Sequence, residues 1–124
     1  MVATLKYLSF LLLGILLNAE GCKKESVDGM STDFVKNKIA EIEKNPVYNP
    51  PASIWKWEYQ DSIYFYVTAD CCDQFNELYN RDGKLICHPD GGFTGRGDGN
   101  CPVDFRSLDS TQLKKTLVWR DSRK

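Results

Sequence analysis

The residues of this chain that could do chemistry are few and gather in its second half. Cys71 and Cys72 are adjacent, and Cys87 and Cys101 bracket the stretch CHPDGGFTGRGDGNC, which holds Gly91, Gly92, Gly95, Gly97 and Gly99. Four thiols could bind zinc, run a dithiol redox cycle or close disulfides. Zinc sites draw their thiolates from two separated CxxC-type knuckles, and that spacing is missing. A redox dithiol of the common kind is a CxxC beside a helix start, also missing. Structural disulfides are therefore expected among Cys71, Cys72, Cys87 and Cys101. Neighbouring side chains on an extended strand point to opposite faces, so Cys71 and Cys72 are each expected to reach a distant partner. Two pairings stay open: Cys71–Cys87 with Cys72–Cys101, or Cys71–Cys101 with Cys72–Cys87.

The glycine-rich stretch offers three further chemistries. A phosphate cradle needs the loop to run into a helix N-terminus, and Asn100-Cys101-Pro102 cannot start one. Calcium is a weaker alternative through the hard oxygens of Asp90, Asp98 and Asp104, with Asn100 beside them. The regular acidic rhythm and closing glutamate of a calcium loop are absent. The triplet Arg96-Gly97-Asp98 reads as turn chemistry, glycine supplying positive φ and aspartate accepting backbone bonds. His88 is the one histidine. Asp90 or Asp73 could orient it, but no nucleophile stands at a recognisable spacing. A small hydrolase is the least favoured reading; no catalytic residue and no cofactor are assigned.

These groups sit in a chain of 124 residues with 16 Lys and Arg against 17 Asp and Glu. No basic stripe points to nucleic acid. The N-terminus carries Lys6, then an apolar run from Leu8 to Leu17, then Ala19-Glu20-Gly21. That run suits a signal-peptide core and is about half the length of a membrane-spanning helix. Residues 1–21 are read as a signal peptide. Cys22, directly after a small residue, is where a lipoprotein would be cleaved and acylated; ordinary cleavage is the alternative. Five cysteines leave an even set of four once Cys22 carries lipid. Export to an oxidising compartment suits that set, with the membrane reached through the lipid.

Residues 22–30 read as a polar tether, and 31–124 as a single small α+β domain. In STDFVKNKIAEIEKNP, Val35, Ile39 and Ile42 recur at helical spacing beside Phe34, with Ser31, Thr32 or Asp33 as the cap and Asn45-Pro46 as the stop. This amphipathic helix needs a sheet to lie on. IWKWEY alternates, placing Trp55, Trp57 and Tyr59 on one side and Ile54, Lys56 and Glu58 on the other. With Ile63–Ala69 it predicts a hairpin. Phe75, Leu78 and Tyr79 suggest a helical turn or irregular strand. Asn80–Gly83 is a turn before the strand KLICH, and Leu117-Val118-Trp119 reads as a last strand. The expected fold is one N-terminal amphipathic helix packed on a small antiparallel sheet, with a disulfide-bonded glycine-rich loop.

Three segments carry a resemblance: NPPASIWKWEY (Asn49–Tyr59), YVTADCCDQFNELY (Tyr66–Tyr79) and LICHPDGGFTGRGDGNCPVDF (Leu85–Phe105). In order and spacing the chain resembles the domain of unknown function 6970 family, short exported bacterial proteins of Bacteroidota type that are often predicted lipoproteins. The resemblance spans nearly the whole expected domain and implies one compact unit with this cysteine set. It brings no activity with it. The function expected is that of a non-enzymatic cell-envelope module binding a protein or glycan partner, with His88–Asn100 as the contact loop, since loops on a rigid scaffold tend to carry recognition.

Overall fold

A computed structural model describes residues 27–124, with side chains from residue 31 onward. The expected signal peptide, Cys22 and the first part of the tether lie outside the described residues. Helix α1 runs from Val27 to Glu43. It starts before the expected cap, so residues 27–30 are helical and Ser31, Thr32 and Asp33 lie inside α1. A cap residue marks a start only where the backbone before it leaves the helical region, and residues 27–30 stay in it despite Gly29.

Five strands follow: β1 (Ser53–Tyr59), β2 (Ser62–Val67), β3 (Glu77–Asn80), β4 (Leu85–Cys87) and β5 (Leu113–Arg120). They form one sheet in the order β4-β3-β2-β1-β5, every pair antiparallel. The first four make a meander, with short turns from β1 to β2 and from β3 to β4 and a longer connection, residues 68–76, from β2 to β3. In the turn before β4, Asn80 Oδ1 accepts from the amides of Asp82 and Lys84 at 3.0 and 2.9 Å, and Gly83 supplies φ +79°. The chain then crosses from the β4 edge to the opposite edge and returns as β5 beside β1. A bulge lies where Ile54 pairs Trp119 but Trp55 pairs Leu117, leaving Val118 outside the register.

Strand periodicity gives the sheet two covered faces. Ile54, Phe65, Val67 and Tyr79 turn toward α1, where Phe34, Val35, Ile39 and Ile42 meet them. The Phe34 ring centroid lies 5.4 Å from that of Phe65 and 4.9 Å from that of Tyr79. Lys38 on the same helix donates to the Tyr79 hydroxyl at 2.9 Å, and that hydroxyl donates to Glu77 at 2.5 Å. The other face carries Trp55, Trp57, Tyr59, Tyr64, Tyr66 and Leu78, and the crossover segment covers it. Trp57 stacks on Tyr66 with centroids 4.6 Å apart and planes 10° from parallel. These aromatics are cross-strand contacts and core, with Phe105 of the crossover set among them.

The C-terminal segment fastens α1 to the sheet. Asp121 donates its amide to the Ala52 carbonyl at 2.9 Å. Its buried carboxylate pairs with Arg123 at 2.7 Å. Arg123 also donates to the carbonyls of Glu43 and Asn45 at 3.0 and 3.1 Å, satisfying groups that the helix end leaves without partners. The hydrogen bonds from Arg123 hold the Asp121 carboxyl below the ordinary carboxylate range. Among the described residues, no helix is long and apolar enough to cross a membrane.

Candidate functional site

The glycine-rich loop leaves β4 at Cys87 and is closed by the disulfide Cys87–Cys101. The second disulfide joins Cys71 to Cys72. Both expected pairings are thereby corrected. They assumed an extended chain at Cys71-Cys72, whereas β2 ends at Val67 and the following residues turn, with Gln74 donating to the Cys71 carbonyl at 3.0 Å. Cys72 adopts φ +35°, a left-handed backbone that removes the alternation of strand side chains. Cys87, at the end of β4 on the crossover-covered face, meets Cys101 as the loop comes back.

Backbone contacts fix the loop. Gly92 donates to Gln74 O at 3.0 Å, and Asn76 donates to Asp90 O at 3.2 Å, so the loop's first arm lies against residues 74–76. The loop then folds on itself, Gly97 donating to Gly91 O at 3.1 Å and Asp98 to His88 O at 3.0 Å. Strands can approach this closely only where no Cβ intervenes, which is the use made of Gly91 and Gly97.

Each of the aspartates read as a possible calcium ligand has a separate partner. Asp90 accepts from the Tyr66 hydroxyl at 2.9 Å and from Asn76 Nδ2 at 2.7 Å. Asn76 Oδ1 in turn accepts from the Ala69 amide at 2.7 Å, tying the Cys71-Cys72 turn to the loop. Burial, reinforced by the Asp90 charge, pushes the Tyr66 hydroxyl far above its ordinary pKa and keeps it a donor. Asp104 meets Arg106 Nε at 3.3 Å. The structure does not bring Asp90, Asp98 and Asp104 together. Among the described residues, no group of three or more such side chains could hold a metal ion.

Asp98 is the partner of His88, in place of the expected Asp90 or Asp73. Its Oδ2 lies 2.8 Å from His88 Nδ1 and 3.2 Å from the His88 amide, and its Oδ1 accepts from the Asn100 amide at 2.9 Å. Partial burial pushes the carboxyl up. The bonds from Asn100 and His88 outweigh that and hold its pKa at about 2, below the ordinary 3.8. A carboxyl depressed on folding stabilises the fold fully above 3.8 and loses that effect as pH falls through about 2. Asp98→Asn should therefore melt below wild type at neutral pH, and the two melting temperatures should converge as pH drops from 3.8 toward 2. A gap of constant size across that range would contradict the assignment.

With Nδ1 held, His88 keeps Nε2 for other partners, and its ring packs 5.2 Å from that of Phe75. It lines a groove of about 250 Å³ with Arg96, Val103, Asp104, Phe105 and Arg106. Among its lining residues there is neither a hydroxyl nor a free thiol. Arg96 and Arg106 bring positive charge to this groove, with Arg106 held 3.3 Å from Asp104.

Sequence reasoning passed over Phe93. It is 92% exposed at the loop tip, beside the exposed Thr94, Gly95 and Arg96. Phe75, itself partly exposed, lies against Gly92 next to it. The signal available in sequence was a large aromatic flanked by Gly-Gly and Thr-Gly, with no apolar neighbour to pair with.

No curated protein and no solved structure matches the chain. The family model described as a domain of unknown function (DUF6970) matches residues 40–121, which hold all five strands, the glycine-rich loop and both disulfides, and the chain belongs to that family.

Proposed function

We propose that this protein is an exported, non-enzymatic binding module of the bacterial cell envelope, anchored by a lipid on Cys22, that engages a protein or glycan partner through the loop His88–Asn100. The observation that carries the reading is Phe93. An aromatic side chain 92% exposed on a loop fastened by a disulfide and by backbone hydrogen bonds loses little freedom when it enters a partner's pocket. Arg96 stands beside it, and aromatic and arginine side chains are the types enriched where partners bury surface. Two disulfides in one small domain favour an oxidising compartment, in keeping with export.

The test uses the full chain in its native host. Wild type should sediment with membranes and Cys22→Ser should not; sedimentation of both would sink the anchor. The purified domain should then retain a defined partner from envelope extract. Phe93→Ala should weaken that interaction by about tenfold or more without moving the melting temperature, because the removed ring touches solvent in the free protein. Equal retention by Phe93→Ala would remove the loop from the recognition surface.

A further inference from the structure

We propose that the Cys71–Cys72 disulfide is a thiol-accessible redox site that regulates the glycine-rich loop, separate in role from Cys87–Cys101. The regulatory part rests on the loop being the contact surface. The two bonds differ in what they enclose. Cys87–Cys101 spans a sequence separation of 14, whereas Cys71–Cys72 joins neighbours and closes no length of chain. A cross-link stabilises chiefly by restricting the unfolded chain, so a bond between neighbours contributes almost nothing of that kind.

They differ also in access. Cys71 and Cys72 are both exposed, while Cys87 is 2% exposed and Cys101 half-buried. Thiol–disulfide exchange needs a thiolate to reach one of the sulfurs, which the first pair permits and the second impedes. Closure holds Cys72 at φ +35°, a region that residues other than glycine seldom occupy, and opening the bond frees this residue to leave it.

The turn that would relax is the one on which the loop leans. Gln74, Phe75 and Asn76 follow it directly. Gln74 O accepts from Gly92 at 3.0 Å, Asn76 Nδ2 donates to Asp90 at 2.7 Å, and Phe75 packs against His88 and Gly92. Loosening residues 70–74 therefore reaches the arm that carries Phe93.

The reductant is a dithiol. One of its thiolates attacks one sulfur of the pair and forms a mixed disulfide, and the displaced cysteine thiolate takes a proton. The second thiol of the reductant then attacks the mixed disulfide, closes its own disulfide and releases the other cysteine. Two electrons pass to the protein, yielding Cys71-SH, Cys72-SH and one oxidised dithiol.

Folded protein would be treated with dithiothreitol, quenched with iodoacetamide at intervals and mapped by mass spectrometry. Cys71 and Cys72 should be labelled at least roughly tenfold faster than Cys87 and Cys101. Equal rates, or the reverse order, would overturn the site. Hydrogen exchange at the amides of Gly92 and Asn76 should then quicken several-fold in the selectively reduced protein, and equally in the double variant Cys71→Ser, Cys72→Ser, with β1 and β2 unchanged. Unchanged exchange in both would overturn the regulation. Neither readout uses a partner, so failure of the binding reading would be seen separately, in the Phe93→Ala comparison.

Discussion

Phe105→Ala should cost the domain about 3–5 kcal/mol, a large part of the roughly 5–15 kcal/mol that holds a small domain folded. Phe105 is 1% exposed, and its ring centroid lies 5.4 to 5.8 Å from those of Trp57, Tyr59 and Tyr64. It lies in no strand or helix itself; it belongs to the crossover between β4 and β5 and is the main apolar side chain by which that segment holds to the sheet. Truncation leaves a cavity between aromatic rings that cannot close by small shifts, because the strands bearing those rings are paired on both sides. Urea unfolding should show a lower midpoint with little change in slope. A loss below about 1 kcal/mol would mean the crossover is held elsewhere, since single surface changes rarely exceed that.

The second large effect is expected at Gly97. Its φ is +73°, so any side chain there incurs about 1–2 kcal/mol from the left-handed backbone alone. A Cβ would also stand 2.7 Å from the Pro89 carbonyl carbon and 2.9 Å from the Asp90 nitrogen, closer than real Cβ contacts come. Those atoms are backbone and cannot rotate away. Gly97→Ala should add about 1–3 kcal/mol of overpacking to the conformational cost and part His88 from Asp98. Gly95 gives the control: its φ is +71°, yet a Cβ there would meet nothing within 4 Å. Gly95→Ala should therefore show the conformational cost only. Equal destabilisation by the two substitutions would mean that the close approach at Gly97 is relieved at no cost.

The parts of this fold legible beforehand were those whose signal is local. Val35, Ile39 and Ile42 at helical spacing, and the alternation of Trp55, Trp57 and Tyr59 against Ile54 and Lys56, assign faces to α1 and β1 because side-chain direction follows directly from backbone period. Asn80–Gly83 identified its own turn through the Asn80 side chain and the positive φ of Gly83. The helix runs back to Val27, past the expected cap, although Gly29 locally disfavours it, and no local signal reports that extension.

The candidate site was legible only in composition. Sequence identified the cysteine set, the loop and His88, but not their partners. Asp98 comes to His88 across the folded loop, a contact made by Gly97 lying on Gly91 rather than by spacing along the chain. For Phe93 the sequence carried only the hint of an aromatic set among Gly-Gly and Thr-Gly; that its ring packs on nothing was decided by how the loop folds.

Sequence by itself determined the periodic elements, the turn residues and which side chains could form disulfides, since each depends on chemistry within a few residues. Only the tertiary structure decided the pairing of Cys71 with Cys72, the partner of His88 and the side chain left exposed at the loop tip. Those depend on where β2 ends, how the crossover lies on the sheet and which backbones touch, and such contacts are chosen by the packing of the whole domain.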